Sequence, residues 1–273
     1  MIMGLVQGLT EFLPVSSSGH LVIFRELLGV EAPSDLVFEI TVHVATVLAT
    51  IVVFRKQILD LLQGLFKFKY NSQTQYIAKL VVSMIPVAIV GFLFKDKVEE
   101  LFNSLPVVGC ALLVTALLLF FSDRVRSFAS LRMTEKEERT MKEERTMKED
   151  ITFGQALIMG LGQAVAVIPG LSRSGTTISA GLLSGASRGK VAEFSFLMVL
   201  VPILGEAFLD IVGGDLAASS TSAIPLVIGF LAAFISGLFA CKAMIALVKK
   251  AGLKWFALYC AIVGLTVLAF SIL

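Results

Sequence analysis

The chain has 273 residues, of which 56% are apolar and only 16% charged, with a mean hydropathy of +0.89 and a formal net charge of +2. That composition excludes a water-soluble domain, and the weak positive balance gives no footing for nucleic acid. Cys110, Cys241 and Cys260 stand singly in apolar stretches, without metal or redox spacing, and read as small packing residues.

In chain order, residues 1–30 form an apolar arm, a Pro/Ser break and a second short arm. This is the pattern of a re-entrant helical hairpin, whose irregular backbone is tolerated at membrane depth only inside protein or beside a wet cavity. Gln7 and Glu11 share a helical face at i,i+4, Pro14 is expected to end the first arm, and Ser16, Ser17 and Ser18 are candidate caps for the second. Glu11 and His20 are ionisable groups at membrane depth, where such residues are costly and usually functional. Three spans follow, at 36–54, 77–94 and 106–122, each long enough to cross the hydrocarbon. Glu39 and His43, at i,i+4 in the first, are candidates to support the site; a helix–helix hydrogen bond is the plainer reading.

Segment 123–150 is charge-balanced and carries a tandem six-residue repeat from Thr134. It reads as a cytoplasmic linker without chemistry, with an exposed helix as the alternative. A second hairpin is expected at 153–188, then spans at 191–211, 223–247 and 253–272. Glu193 is expected to cap a helix start, and Glu206, Asp210 and Lys242 to be structural.

The two hairpins are copies. At a fixed offset of 156 residues, Gly4 matches Gly160, Gln7 matches Gln163, Ser16 matches Ser172, Ser18 matches Ser174 and Gly19 matches Gly175. An odd number of crossings separates them, so the second copy should lie upside down. The expected fold is therefore an all-α polytopic membrane protein. It is built as an inverted repeat, each half a re-entrant hairpin plus three transmembrane helices: 1–122, then the linker, then 151–273. Lys and Arg cluster on the side of 55–79, 123–150 and 249–254, which makes that side cytoplasmic and opens the first hairpin outward.

In the second hairpin, Pro169-Gly170-Leu171-Ser172-Arg173-Ser174-Gly175-Thr176-Thr177 is a turn that opens a helix. A helix N-terminus offers free N–H groups to an anion, and arginine adds a planar fork matched to phosphate. Ser172, Arg173, Ser174 and Thr177 are the candidate phosphate cradle.

The stretch from Gln7 to His20 resembles the first signature of the undecaprenyl-diphosphatase family, also called bacitracin-resistance proteins, and Pro169–Thr177 resembles its second. The likeness covers nearly the whole chain. It implies a phosphatase of the bacterial cytoplasmic membrane that hydrolyses undecaprenyl diphosphate to undecaprenyl phosphate. The lipid carrier would thereby be recycled for peptidoglycan synthesis, with bacitracin resistance as a result. The site would face the extracytoplasmic side and use a divalent cation, Mg²⁺ or Ca²⁺. Glu11, Ser17, His20 and Arg173 are the catalytic candidates. Glu11 serves as metal ligand or general base, and the nucleophile is either Ser17 or His20. Gln7, Ser16, Glu39 and His43 are candidates for support. The expected partners are the polyprenyl diphosphate and the bilayer, with a second copy of the chain as a further candidate. The rival reading from the same architecture is a polyprenyl-phosphate flippase or ion-coupled transporter.

Overall fold

The computed structural model describes residues 1–27, 36–101, 104–131, 150–205, 223–250 and 252–272. Eleven helices are delimited among them, and no strand. The first half holds α1 (Ile2–Thr10), α2 (Ser17–Leu27), α3 (Leu36–Leu65), α4 (Ser72–Leu93), α5 (Lys95–Leu101) and α6 (Leu105–Leu131). The second holds α7 (Phe153–Val165), α8 (Arg173–Leu183), α9 (Arg188–Met198), α10 (Ala223–Lys250) and α11 (Lys254–Ile272).

Five of these helices are long and apolar enough to cross a membrane: Val37–Leu65, Ser72–Leu93, Leu105–Arg124, Ala223–Val248 and Lys254–Ser271. Their outward faces carry exposed Phe92, Phe239, Leu265 and Phe270, apolar surface suited to lipid tails. The span expected at 191–211 differs. Its described part begins in α9, which stops at Met198 and gives way to a turn at Val199 before helix resumes over 200–205. Pro202 accounts for the break, because its ring clashes with the carbonyl four residues back and it has no N–H to give. Glu193 lies in the middle of α9, within 4.0 Å of Lys190, and the position before the helix start is occupied by Ser187 instead, without a side-chain capping bond. α6 runs nine residues past the expected end of its span, to Leu131. The hexapeptide tandem, Glu206 and Asp210 lie outside the described residues; of the linker's far end, Asp150 is described, 3.9 Å from Lys79.

The short arms of each half are held by long helices of the other. A Cβ on Gly4 would stand 2.3 Å from the Gly229 carbonyl, and one on Gly8 2.4 Å from that of Ala233, so α1 lies against α10 in the same direction. A Cβ on Gly160 would stand 2.3 Å from the Ser83 carbonyl, which seats α7 on α4 equally closely. Such backbone approach is the usual means of helix association in lipid, where burial of apolar surface gives no drive. α6 and α11 pair differently. Gly109 meets Gly264 and Asp123 meets Gly252, so these two run antiparallel.

Candidate active site

Each hairpin reverses at a residue in the left-handed region, Ser16 (φ 70°) in the first and Gly170 (φ 87°) in the second. A serine there costs about a kilocalorie or more of backbone strain, so the surroundings must hold it. Ser16 is held by its own role as cap. Its Oγ accepts the Gly19 N–H at 3.2 Å and sits 3.4 Å from Ser18 Oγ. The same cap recurs 156 residues on: Ser172 Oγ accepts the Gly175 N–H at 3.0 Å and sits 3.3 Å from Ser174 Oγ. The duplicated residues therefore do the same local work in both copies.

The two turns rest on each other reciprocally. A Cβ on Gly19 would be 3.0 Å from Gly170 Cα, and one on Gly175 would be 3.3 Å from Pro14, the residue matched to Gly170. The Gly170 N–H reaches Ser18 Oγ at 3.5 Å, while Ser174 Oγ donates to the Leu13 carbonyl at 3.1 Å. This contact brings the start of α8 against the end of α1.

There the side chains converge. α1 ends at Thr10, short of Pro14, and Glu11 occupies its C-terminal boundary. Glu11 Oε2 accepts hydrogen bonds from Gln7 Nε2 (2.9 Å) and Ser17 Oγ (2.6 Å). Its other oxygen, Oε1, lies 3.4 Å from Arg173 Nη2. The Glu11 side chain is 8% exposed and that of Arg173 26%. A carboxylate so far from water is tolerable because a cation and two donors meet it. Glu11 and Arg173 line a pocket with Thr46 and Thr50 of α3, Ser174 and Ser195; Phe12, Val47, Phe196, Leu200 and Ile203 make its apolar wall.

This pocket couples a buried carboxylate and an arginine fork at a helix start, and the Ser17 hydroxyl bonded to that carboxylate lies outside the pocket lining. Over residues 1–266 the chain matches the family model for bacitracin resistance protein BacA. It belongs to that family. It is 52% identical to the undecaprenyl-diphosphatase of Parabacteroides distasonis, over all of this chain and 97% of that one. It is 50% identical to that of Bacteroides fragilis, over 99% and 97%, and 35% identical to that of Methanosphaera stadtmanae, over 100% and 97%.

Around this candidate site of the BacA-family chain the other expected residues take distinct places. His20 has its partners away from Glu11. Its Nδ1 lies 2.7 Å from the Ser16 carbonyl and its Nε2 2.7 Å from Tyr259 Oη. Thr177 lies behind the cradle, with Oγ1 2.8 Å from the Arg173 carbonyl and 2.6 Å from Ser195 Oγ, tying α8 to α9. Glu39 pairs with Arg25, which fastens α3 to α2. His43 Nδ1 lies 2.9 Å from the Glu39 carbonyl, within its own helix.

Thr46, Thr50, Ser195 and Tyr259 were not singled out from sequence. His43, Thr46 and Thr50 are spaced three and four apart in an apolar helix, a polar stripe that could have marked the first two. Tyr259 carries no such signal.

Proposed function

We infer that this chain is an integral membrane phosphatase that hydrolyses undecaprenyl diphosphate to undecaprenyl phosphate and inorganic phosphate, returning the lipid carrier to peptidoglycan synthesis. The observation that carries the reading is Ser17 Oγ hydrogen-bonded to Glu11, itself in contact with Arg173. In this reading the incoming diphosphate draws the Arg173 fork from Glu11 to its own oxygens. Arg173 then spreads the charge of the transferred group, helped by the α8 N-terminus behind Ser172 and Ser174. Glu11, released from the ion pair, takes the Ser17 Oγ proton. Ser17 Oγ bonds to the terminal phosphorus as the bridging P–O bond breaks, and undecaprenyl phosphate leaves. Water then attacks the phosphoserine, expels inorganic phosphate and restores the hydroxyl. Ser17 is favoured over His20 as nucleophile because its oxygen sits on the carboxylate, whereas both His20 nitrogens have partners elsewhere.

A divalent cation fits this donor set when shared with substrate. No group of three His, Cys, Asp or Glu side chains among the described residues is placed to hold a metal alone. Glu11, however, offers one carboxylate, and Gln7 Oε1 is buried without a hydrogen-bond partner. One or two protein oxygens plus phosphate oxygens is the usual setting for Mg²⁺. Bound by Glu11, Gln7 and the diphosphate, such an ion would neutralise charge on the departing phosphate.

The exchanged packing of α1 on α10 and α7 on α4, with α6 antiparallel to α11, supports an inverted repeat. With the basic segments cytoplasmic, the first hairpin and its serine open to the extracytoplasmic side of the bacterial cytoplasmic membrane. Phosphate release by purified protein from long and short prenyl diphosphates, with and without chelator, tests the reading. A flippase or ion-coupled carrier would release none.

A further inference from the structure

His20 bridges two parts of the molecule that are 239 residues apart. A carbonyl oxygen only accepts hydrogen bonds, so the proton shared with the Ser16 carbonyl belongs to His20 Nδ1. In the neutral imidazole Nε2 is then an acceptor, and the Tyr259 hydroxyl is the donor that meets it. The rings also lie nearly parallel, with centroids 5.6 Å apart and planes 9° from each other. Beside Tyr259, Cys260 Sγ reaches the Pro14 carbonyl at 3.5 Å. Two consecutive residues of α11 thus grip the first turn, one at its proline and one through the histidine.

The position held by this grip is the left-handed Ser16, and the next residue is Ser17. Rotation of the Ser16 peptide would swing Ser17 Oγ off Glu11. We propose that Tyr259 is a positioning residue for the phosphatase reaction. Its hydroxyl fixes the tautomer of His20, His20 fixes the Ser16 carbonyl, and that carbonyl sets the direction from which Ser17 Oγ meets Glu11. The proposal rests on the phosphatase reading above. It assigns the second half of the chain a part in aiming the nucleophile, separate from the phosphate cradle of α8.

Tyr259→Phe removes the hydroxyl and keeps the stacked ring. The expected result is a kcat lowered on the order of tenfold to a hundredfold, with KM within about twofold, because misaimed chemistry is costly while head-group contacts are untouched. The chain has two histidines, so ¹⁵N-histidine labelling of the full-length protein in detergent gives two side-chain systems, told apart by His43→Gln. In the unsubstituted protein His20 should show a protonated Nδ1 and an unprotonated, hydrogen-bonded Nε2. In Tyr259→Phe the Nε2 signal should move to that of an unbonded nitrogen while His43 stays in place. Unchanged kcat, a rise in KM alone, or a proton on Nε2 in the unsubstituted protein would overturn the proposal. Absence of phosphate release by the unsubstituted protein would instead count against the phosphatase reading, and the nitrogen signals would still report on the Tyr259–His20 contact.

Discussion

Ser17 and Glu11 face each other across the first turn, the hydroxyl donating to the carboxylate at 2.6 Å. They are six positions apart in the chain, and two features of the turn close the gap. α1 stops at Thr10, so Glu11 projects from its end, and the left-handed Ser16 starts α2 at Ser17. The pairing is a property of the turn and does not depend on substrate.

Ser17→Ala should therefore abolish turnover, because Ser17 is the hydroxyl that donates to Glu11 among the described residues. His20→Ala should be milder, lowering kcat on the order of tenfold to a hundredfold, because it loosens the aim of Ser17 at Glu11 and leaves the nucleophile in place. Steady-state phosphate release measures both. The reverse ranking would make His20 the nucleophile.

Glu11→Gln should lose roughly 10²–10⁴ in kcat, since an amide cannot take the serine proton. Gln7→Ala removes one donor to Glu11 and should cost less. Comparing the two at saturating substrate tests the order, and a more damaging Gln7→Ala would shift the central role to the amide.

Arg173→Lys keeps the charge and loses the planar fork. A fall on the order of a hundredfold in kcat/KM is expected, comparable to losing one donor aimed at developing charge. Near-normal turnover would remove Arg173 from the phosphate clamp.

Gly160→Val should destabilise the fold by about 1–3 kcal/mol or more, since its Cβ would stand 2.3 Å from the Ser83 carbonyl with no soft atom to yield. Gly154→Ala is the control, with open space at its Cβ. Thermal unfolding in detergent should separate the two; equal midpoints would mean that α7 and α4 can part without cost.

For orientation, Ser17→Cys in a background without Cys110, Cys241 and Cys260 should react with an impermeant thiol reagent from outside only, with substrate protecting. Labelling from the cytoplasmic face alone would invert the proposed topology.

Much of this molecule can be read from spacing. The 156-residue register predicts matching caps, and Ser16 and Ser172 make them. Hydropathy finds the five long spans. What spacing cannot report is which helices touch. The Tyr259–His20 bond joins residues 239 apart, and nothing local to either betrays it. Glu39 and His43 share an i,i+4 spacing, yet the Glu39 side chain turns to Arg25 on α2 while His43 Nδ1 meets the Glu39 carbonyl of its own helix. The break at Val199 was visible in principle through Pro202, but the apolar run around it hides the interruption.

The seat of α1 also sets a timetable for assembly. Gly4 needs the groove at Gly229, 225 residues further along the chain. At about 5–20 residues per second that groove is translated roughly 10–45 seconds after the arm that fills it. Through that interval the first hairpin is inserted without its principal partner, with a carboxylate and an imidazole in tow. Closure of α1 against α10 is a long-range event that must close a loop of more than 200 residues, and so a slow one. The order of synthesis thus separates the making of α1 from its seating on α10.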